Sequence, residues 1–97
     1  MSTQAQNSVE QVISEKADEH GLSFGKSFGA FSGSFTLRRG ALDNGQHVGI
    51  EVTSRVATIE LRGRGKVQQR VRVDLDADTT LLRGLRTTLD RYIEKIA

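Results

Sequence analysis

The run Arg62-Gly63-Arg64-Gly65-Lys66-Val67-Gln68-Gln69-Arg70-Val71-Arg72 places five basic side chains within eleven residues, uninterrupted by any acid. Clustered guanidinium and ammonium groups are what a nucleic-acid backbone rewards, because each neutralised phosphate releases condensed counterions. Arg64, held between glycines, would stand at a hairpin tip able to follow a groove. The expected DNA- or RNA-contacting set is Arg55, Arg62, Arg64, Lys66, Arg70 and Arg72. Solvated strand faces also carry arginine without any ligand, and no aromatic interleaves with the run, which argues against stacking on single-stranded bases.

A second group has a different chemistry. All four phenylalanines (Phe24, Phe28, Phe31 and Phe35) fall between residues 21 and 35, with glycine at every fourth position from Gly21 to Gly33. Rings left exposed there would make an apolar patch for a partner protein or a second copy. Phe31 and Phe35 are expected in the core, and Phe24 and Phe28 are the interface candidates. The alternative to nucleic-acid binding is therefore a protein-binding adaptor, inhibitor or chaperone acting through residues 21–35 or through a sheet edge.

Other chemistries fail on spacing. Gly21-Leu22-Ser23-Phe24-Gly25-Lys26-Ser27 has three residues before Gly-Lys-Ser, where a phosphate loop needs four, and it follows a helix rather than a parallel strand. His20 and His47 are the only histidines, and neither forms a ligand pair at i, i+3 or i+4 with helical support, so no metal site is expected. Asp76 and Asp78 are read as helix-capping carboxylates. There is no cysteine and no Gly-x-Ser-x-Gly elbow. We expect a non-catalytic protein without cofactors.

The net charge of +2 conceals an uneven distribution. Residues 1–24 carry Lys16 against Glu10, Glu15, Asp18 and Glu19, a balance of −3; residues 55–72 carry the six cations named above against Glu60, a balance of +5. Screening over about 8 Å makes such local balances matter more than the total. The first twenty residues lack the basic start and apolar run of a secretory leader, and no stretch is long and apolar enough to span a bilayer. A cytoplasmic location, with no membrane partner, is expected.

The elements that must position these groups follow from periodicity. A polar tail at residues 1–7, expected to be disordered, precedes a single domain over 8–97. Ser8 reads as a cap for a helix over 8–20, with Val9, Val12, Ile13 and Ala17 on one side and Gly21 as its stop. Leu82, Leu85, Leu89, Tyr92, Ile93 and Ile96 form the stripe of a second helix. Between them the period is two. Residues 22–28 read as loop or extended chain and 30–39 as the first strand. Asp43-Asn44-Gly45 marks a hairpin turn. Val48, Ile50 and Val52 share a face, as do Ala57, Ile59 and Leu61, and a turn at Ser54-Arg55 explains the change of parity better than a bulge. Pairing Arg62 with Lys66 across the Gly63-Arg64-Gly65 loop puts Leu61 beside Val67 and Ala57 beside Val71.

The expected fold is α+β: helix, about four antiparallel strands in a meander, helix, with both helices on one face of the sheet. A long edge makes a homodimer an expectation too. Residues 56–96, a hairpin followed by a helix, resemble the end of small bacterial nucleoid-associated proteins of the YbaB type. The resemblance covers less than half the chain, the Asn44-Gly45 hairpin departs from it, and it carries no functional residue over.

Overall fold

A computed structural model describes residues 3–29, 32–39, 46–53, 55–63, 65–75 and 79–96. Helix α1 (Thr3–His20) is followed by β1 (Ser23–Phe28), β2 (Ser32–Arg38), β3 (Gln46–Thr53), β4 (Val56–Gly63), β5 (Lys66–Asp74) and helix α2 (Thr79–Ile96). The strands form one antiparallel meander in chain order. The protein is α+β as expected, with five strands rather than about four.

The additional strand is β1, in a segment whose glycines and serines fit loop or extended chain equally well. Its residues alternate Phe24, Lys26, Phe28 with Ser23, Gly25, Ser27, and each pairs with β2 without a break in register. Three rows of side chains then cross the sheet on one face. Phe24, Leu37, Val48 and Leu61 make the first; Lys26, Phe35, Ile50, Ile59 and Val71 the second; Phe28, Gly33, Val52, Ala57 and Val73 the third. The β2, β3 and β4 members of these rows are buried. Together with Val9, Val12, Ile13 and Ala17 of α1 and Leu85, Leu89, Tyr92, Ile93 and Ile96 of α2 they form one core cluster. Burial raises the Tyr92 phenol above its ordinary pKa, and the neighbouring Arg91 charge opposes that shift.

Helix α1 begins at Thr3, so Ser8 lies inside it and does not cap it, and residues 3–7 are helical rather than a loose tail. Extending a helix already nucleated by a buried face costs little, and Gln4, Ala5 and Gln6 are good helix formers. Its far end stops as expected. Gly21 takes φ 66°, and the Leu22 N–H donates to the Ala17 carbonyl at 2.8 Å while Leu22 itself is buried. These are the hydrogen bond and the apolar contact of a Schellman stop. In α2, Leu82 packs partly against the core with φ 58°, a left-handed value unusual for leucine.

Two hairpins differ in what they did to the expected register. Thr53 pairs with Val56, so β3 and β4 are joined by a two-residue turn, not a bulge. In the β4–β5 hairpin, Gly63 pairs with Lys66 and Arg62 with Val67, after which the register slips so that Leu61 faces Gln69 and Ala57 faces Val73. The expected neighbours Leu61–Val67 and Ala57–Val71 do not form. The irregularity absorbs one extra residue on the edge strand, where no second neighbour enforces register, and it leaves Val67 exposed. Phe31, the Asn44-Gly45 turn, Arg64, Asp76 and Asp78 lie outside the described residues. Among the described residues, no helix is long and apolar enough to cross a membrane.

Candidate functional site

An open meander has two edges, and here they are built from opposite chemistries. The β5 edge carries most of the expected basic set. Lys66, Arg70 and Arg72 are exposed, and Arg70 and Arg72 lie in rows that cross the polar face: Gly25, Thr36, Gly49, Glu60, Arg70 and Ser27, Ser34, Glu51, Thr58, Arg72. Arg62 joins them from β4. The Glu60 carboxylate, the one acid among the cations of residues 55–72, sits between two of these groups. It accepts from Arg62 Nη1 at 3.2 Å and from Arg70 Nε at 2.8 Å.

That clamp lowers the field the hairpin presents. Lys66 and Arg72 make no ion pair with another described residue, so two of the four described cations on this hairpin stay uncommitted. Arg55 is set apart from Arg62 and Lys66. It sits at the β3–β4 turn, its carbonyl accepting the Leu75 N–H at 2.8 Å, at the end of the hairpin nearer Arg72, which faces Thr58, while Arg62 on β4 and Lys66 on β5 lie at the other end. Seven residue steps of strand separate Arg55 from Arg62, roughly 23 Å at about 3.3 Å each.

The β1 edge has almost no charge. The Phe24 and Phe28 rings, the interface candidates in the sequence, both lie on the Phe35 side of the sheet. Phe24 stacks on Phe35 with centroids 6.0 Å apart, and Phe28 meets it edge-on at 5.7 Å. Phe24 is partly buried against the core, whereas Phe28 is 50% exposed because the residue beside it, Gly33, has no side chain to build the layer outward. Between them Lys26 reaches α1, donating to Glu10 Oε2 at 3.0 Å, with its ammonium 5.9 Å from the Phe28 ring centroid.

The hydrogen-bonding direction of β1 follows from its turn. The Gly29 N–H donates to the Ser32 carbonyl at 2.8 Å, which makes Gly29–Ser32 a hydrogen-bonded pair. In an antiparallel ladder such pairs alternate, so Ser27, Gly25 and Ser23 bond to β2, and the N–H and C=O of Phe28, Lys26 and Phe24 point to the open edge. Edge strands are commonly blunted by proline, a bulge or unpaired charge. β1 has no proline and no register shift, and its one charge is already paired with Glu10. β5, in contrast, has both the bulge and the lysine and arginines.

One further cluster lies where α1 meets α2. Lys16, with its side chain only 10% exposed, places Nζ 2.7 Å from Asp90 Oδ1 and 3.8 Å from Glu19 Oε2. His20 Nε2 lies 3.8 Å from the same Asp90 oxygen. Glu19, His20 and Asp90 bring ligand-type atoms within 4.8 Å of one another. The Lys16 ammonium already occupies the position from which a cation would engage Asp90, so the cluster reads as an ion pair locking the helices together. Nothing in the sequence marks it, since its members lie near opposite ends of the chain.

Comparison with known proteins finds no matching family model, no matching curated sequence and no matching solved structure.

Proposed function

We propose that the protein is a small non-catalytic binding module that takes up an extended polypeptide strand along the open edge of β1. The observation that carries this reading is the outward backbone of Phe24, Lys26 and Phe28 on a regular, unblunted strand, with the half-exposed Phe28 ring beside it. Strand addition draws affinity from main-chain hydrogen bonds and selectivity from alternate side chains. Both helices are read as covering the apolar rows, a reading supported by the single core cluster they share with those rows. Strand addition would leave those helices undisturbed.

The test is selection of random peptides displayed on phage, against the intact protein and against Lys26→Pro. Proline at position 26 removes an N–H that points to the open edge and leaves the β2 ladder intact, which an edge strand tolerates. We expect enriched peptides with alternating apolar residues whose affinity falls at least about tenfold on the proline variant, the equivalent of about 1.4 kcal/mol. If every selected peptide binds both proteins equally, the edge is not the site.

A second reading, nucleic-acid binding through the hairpin of residues 56–75, is favoured by the uncommitted Lys66 and Arg72. Binding to generic DNA and RNA should then appear at about 50 mM salt and weaken along a log–log slope of roughly −2, near −0.9 for each phosphate contacted. Glu60→Gln, which releases Arg62 and Arg70, should strengthen binding and steepen the slope. Absence of binding, or a flat slope, rules the hairpin out.

A further inference from the structure

We infer that the strand taken up at the β1 edge is β1 of a second copy of this chain, paired antiparallel about a two-fold axis at Lys26. The inference rests on the strand-addition reading and specifies its partner. A two-fold interface must be self-complementary, because each surface meets its own image. The outward residues Phe24, Lys26 and Phe28 satisfy this about one point only. With the axis at Lys26, Phe24 faces Phe28 of the second copy, Lys26 faces its own image and Phe28 faces Phe24. Every outward N–H and C=O on β1 then has a partner. An axis at Phe24 or Phe28 would leave part of this set facing turn residues instead.

The side chains match that register. The exposed half of Phe28 gains an aromatic neighbour directly across the new pair, an arrangement that stabilises antiparallel sheets. Two lysines facing each other would by themselves repel. Each, however, lies 3.0 Å from the Glu10 carboxylate of its own α1, and Glu10 and Lys26 are both still partly exposed. Two ammonium and two carboxylate groups meet at the axis with no net charge. The β5 edge lacks that balance, since Glu60 pairs with Arg70 but self-pairing would still bring the uncommitted Lys66 and Arg72 of two copies together. The charge pattern thus selects β1.

Sedimentation equilibrium on the full chain tests this, up to about 200 µM, with hydrogen exchange at residues 24, 26 and 28 as a second readout. The wild type should be dimeric, with those amides protected. Glu10→Lys and Lys26→Glu, which put four like charges at the axis, should each raise the dimer dissociation constant at least about tenfold. The double variant Glu10→Lys/Lys26→Glu restores the alternation and should recover dimerisation. Lys26→Pro should be monomeric with an unchanged circular dichroism spectrum. A wild type that is monomeric at the highest concentration overturns the inference. So does a dimer insensitive to both single reversals, or one whose edge amides stay unprotected. A monomer that still captures peptides through β1 overturns the self-pairing alone and leaves the strand-addition reading standing, whereas failure of both assays removes the two together.

Discussion

Phe35→Ala should lower the stability of the protein by about 3–5 kcal/mol, the range found when a buried aromatic is truncated and the cavity cannot close. Phe35 is 1% exposed, it occupies the central row of the sheet beside Ile50, and both of the other described phenylalanine rings lean on it. Its removal therefore strips the partners from Phe24 and Phe28 as well as its own contacts. For a domain whose total stability is about 5–15 kcal/mol, this is a large share. The three rings should fall in order. Phe24→Ala, partly buried, is expected to cost about 1–2 kcal/mol, and Phe28→Ala, half in solvent, less than about 1 kcal/mol. Urea denaturation reads the series, as a shift in midpoint with little change in slope. Should Phe28→Ala prove as costly as Phe35→Ala, the ring is part of a closed core and the β1 edge loses its apolar contact.

That graded series also shows where the sequence was legible and where it was not. Phe24 and Phe28 are spaced by four, and a spacing of four suits both a helix turn and two full periods of a strand. Glycine and serine between them argue against a helix without arguing for a strand, so residues 22–28 fit loop or extended chain equally. What makes them β1 is tertiary: the Phe35 ring gives both side chains a common surface. By comparison, Val48, Ile50 and Val52, and Ala57, Ile59 and Leu61, are flanked on both sides by paired strands, and their alternation alone placed them in the core. The β4–β5 register failed at the edge for the complementary reason. Gln68 and Gln69 have no apolar character to fix which of them faces inward, so the slip that exposes Val67 leaves no trace in the pattern.

The candidate site divides in the same way. The basic run was visible because its members are adjacent in sequence. Its partial neutralisation by Glu60 was hidden, because it depends on a register in which Glu60 faces Arg70. The open edge of β1 was visible only as a general expectation that some edge would exist. Its outward set of Phe24, Lys26 and Phe28 required knowing which residues of the first hairpin exchange hydrogen bonds.

Removing Asp90 and removing Lys16 should have unequal effects, although the two form one ion pair across the helices. The Lys16 side chain is nine-tenths buried, while that of Asp90 is 47% exposed. Asp90→Ala leaves an ammonium in a poorly solvated position with Glu19, at 3.8 Å, as its one remaining ion-pair partner among the described residues. Breaking a fully buried pair from one side costs about 3–5 kcal/mol, and the water that reaches this carboxylate lowers the expectation to about 2 kcal/mol. In a domain of this size that corresponds to a fall in Tm of roughly 8–16 °C. Lys16→Met keeps the unbranched stem against the core and removes the charge that burial penalises. The carboxylate it abandons keeps part of its surface in water, but Oδ1, itself buried, loses the ammonium that faces it. We therefore expect Lys16→Met to cost about 1 kcal/mol, less than Asp90→Ala. The double variant Lys16→Met/Asp90→Ala should be more stable than Asp90→Ala alone, so that a second substitution rescues the first. The contact is close without being aligned as a hydrogen bond, since Asp90 Oδ1 has none despite the ammonium at 2.7 Å. Its contribution is therefore mainly coulombic, and the coupling in the cycle should shrink only modestly in high salt because one partner is buried. Equal losses from the two single variants, with no rescue in the double, would mean that the pair is an ordinary exposed one and that α1 and α2 are held by their apolar faces alone.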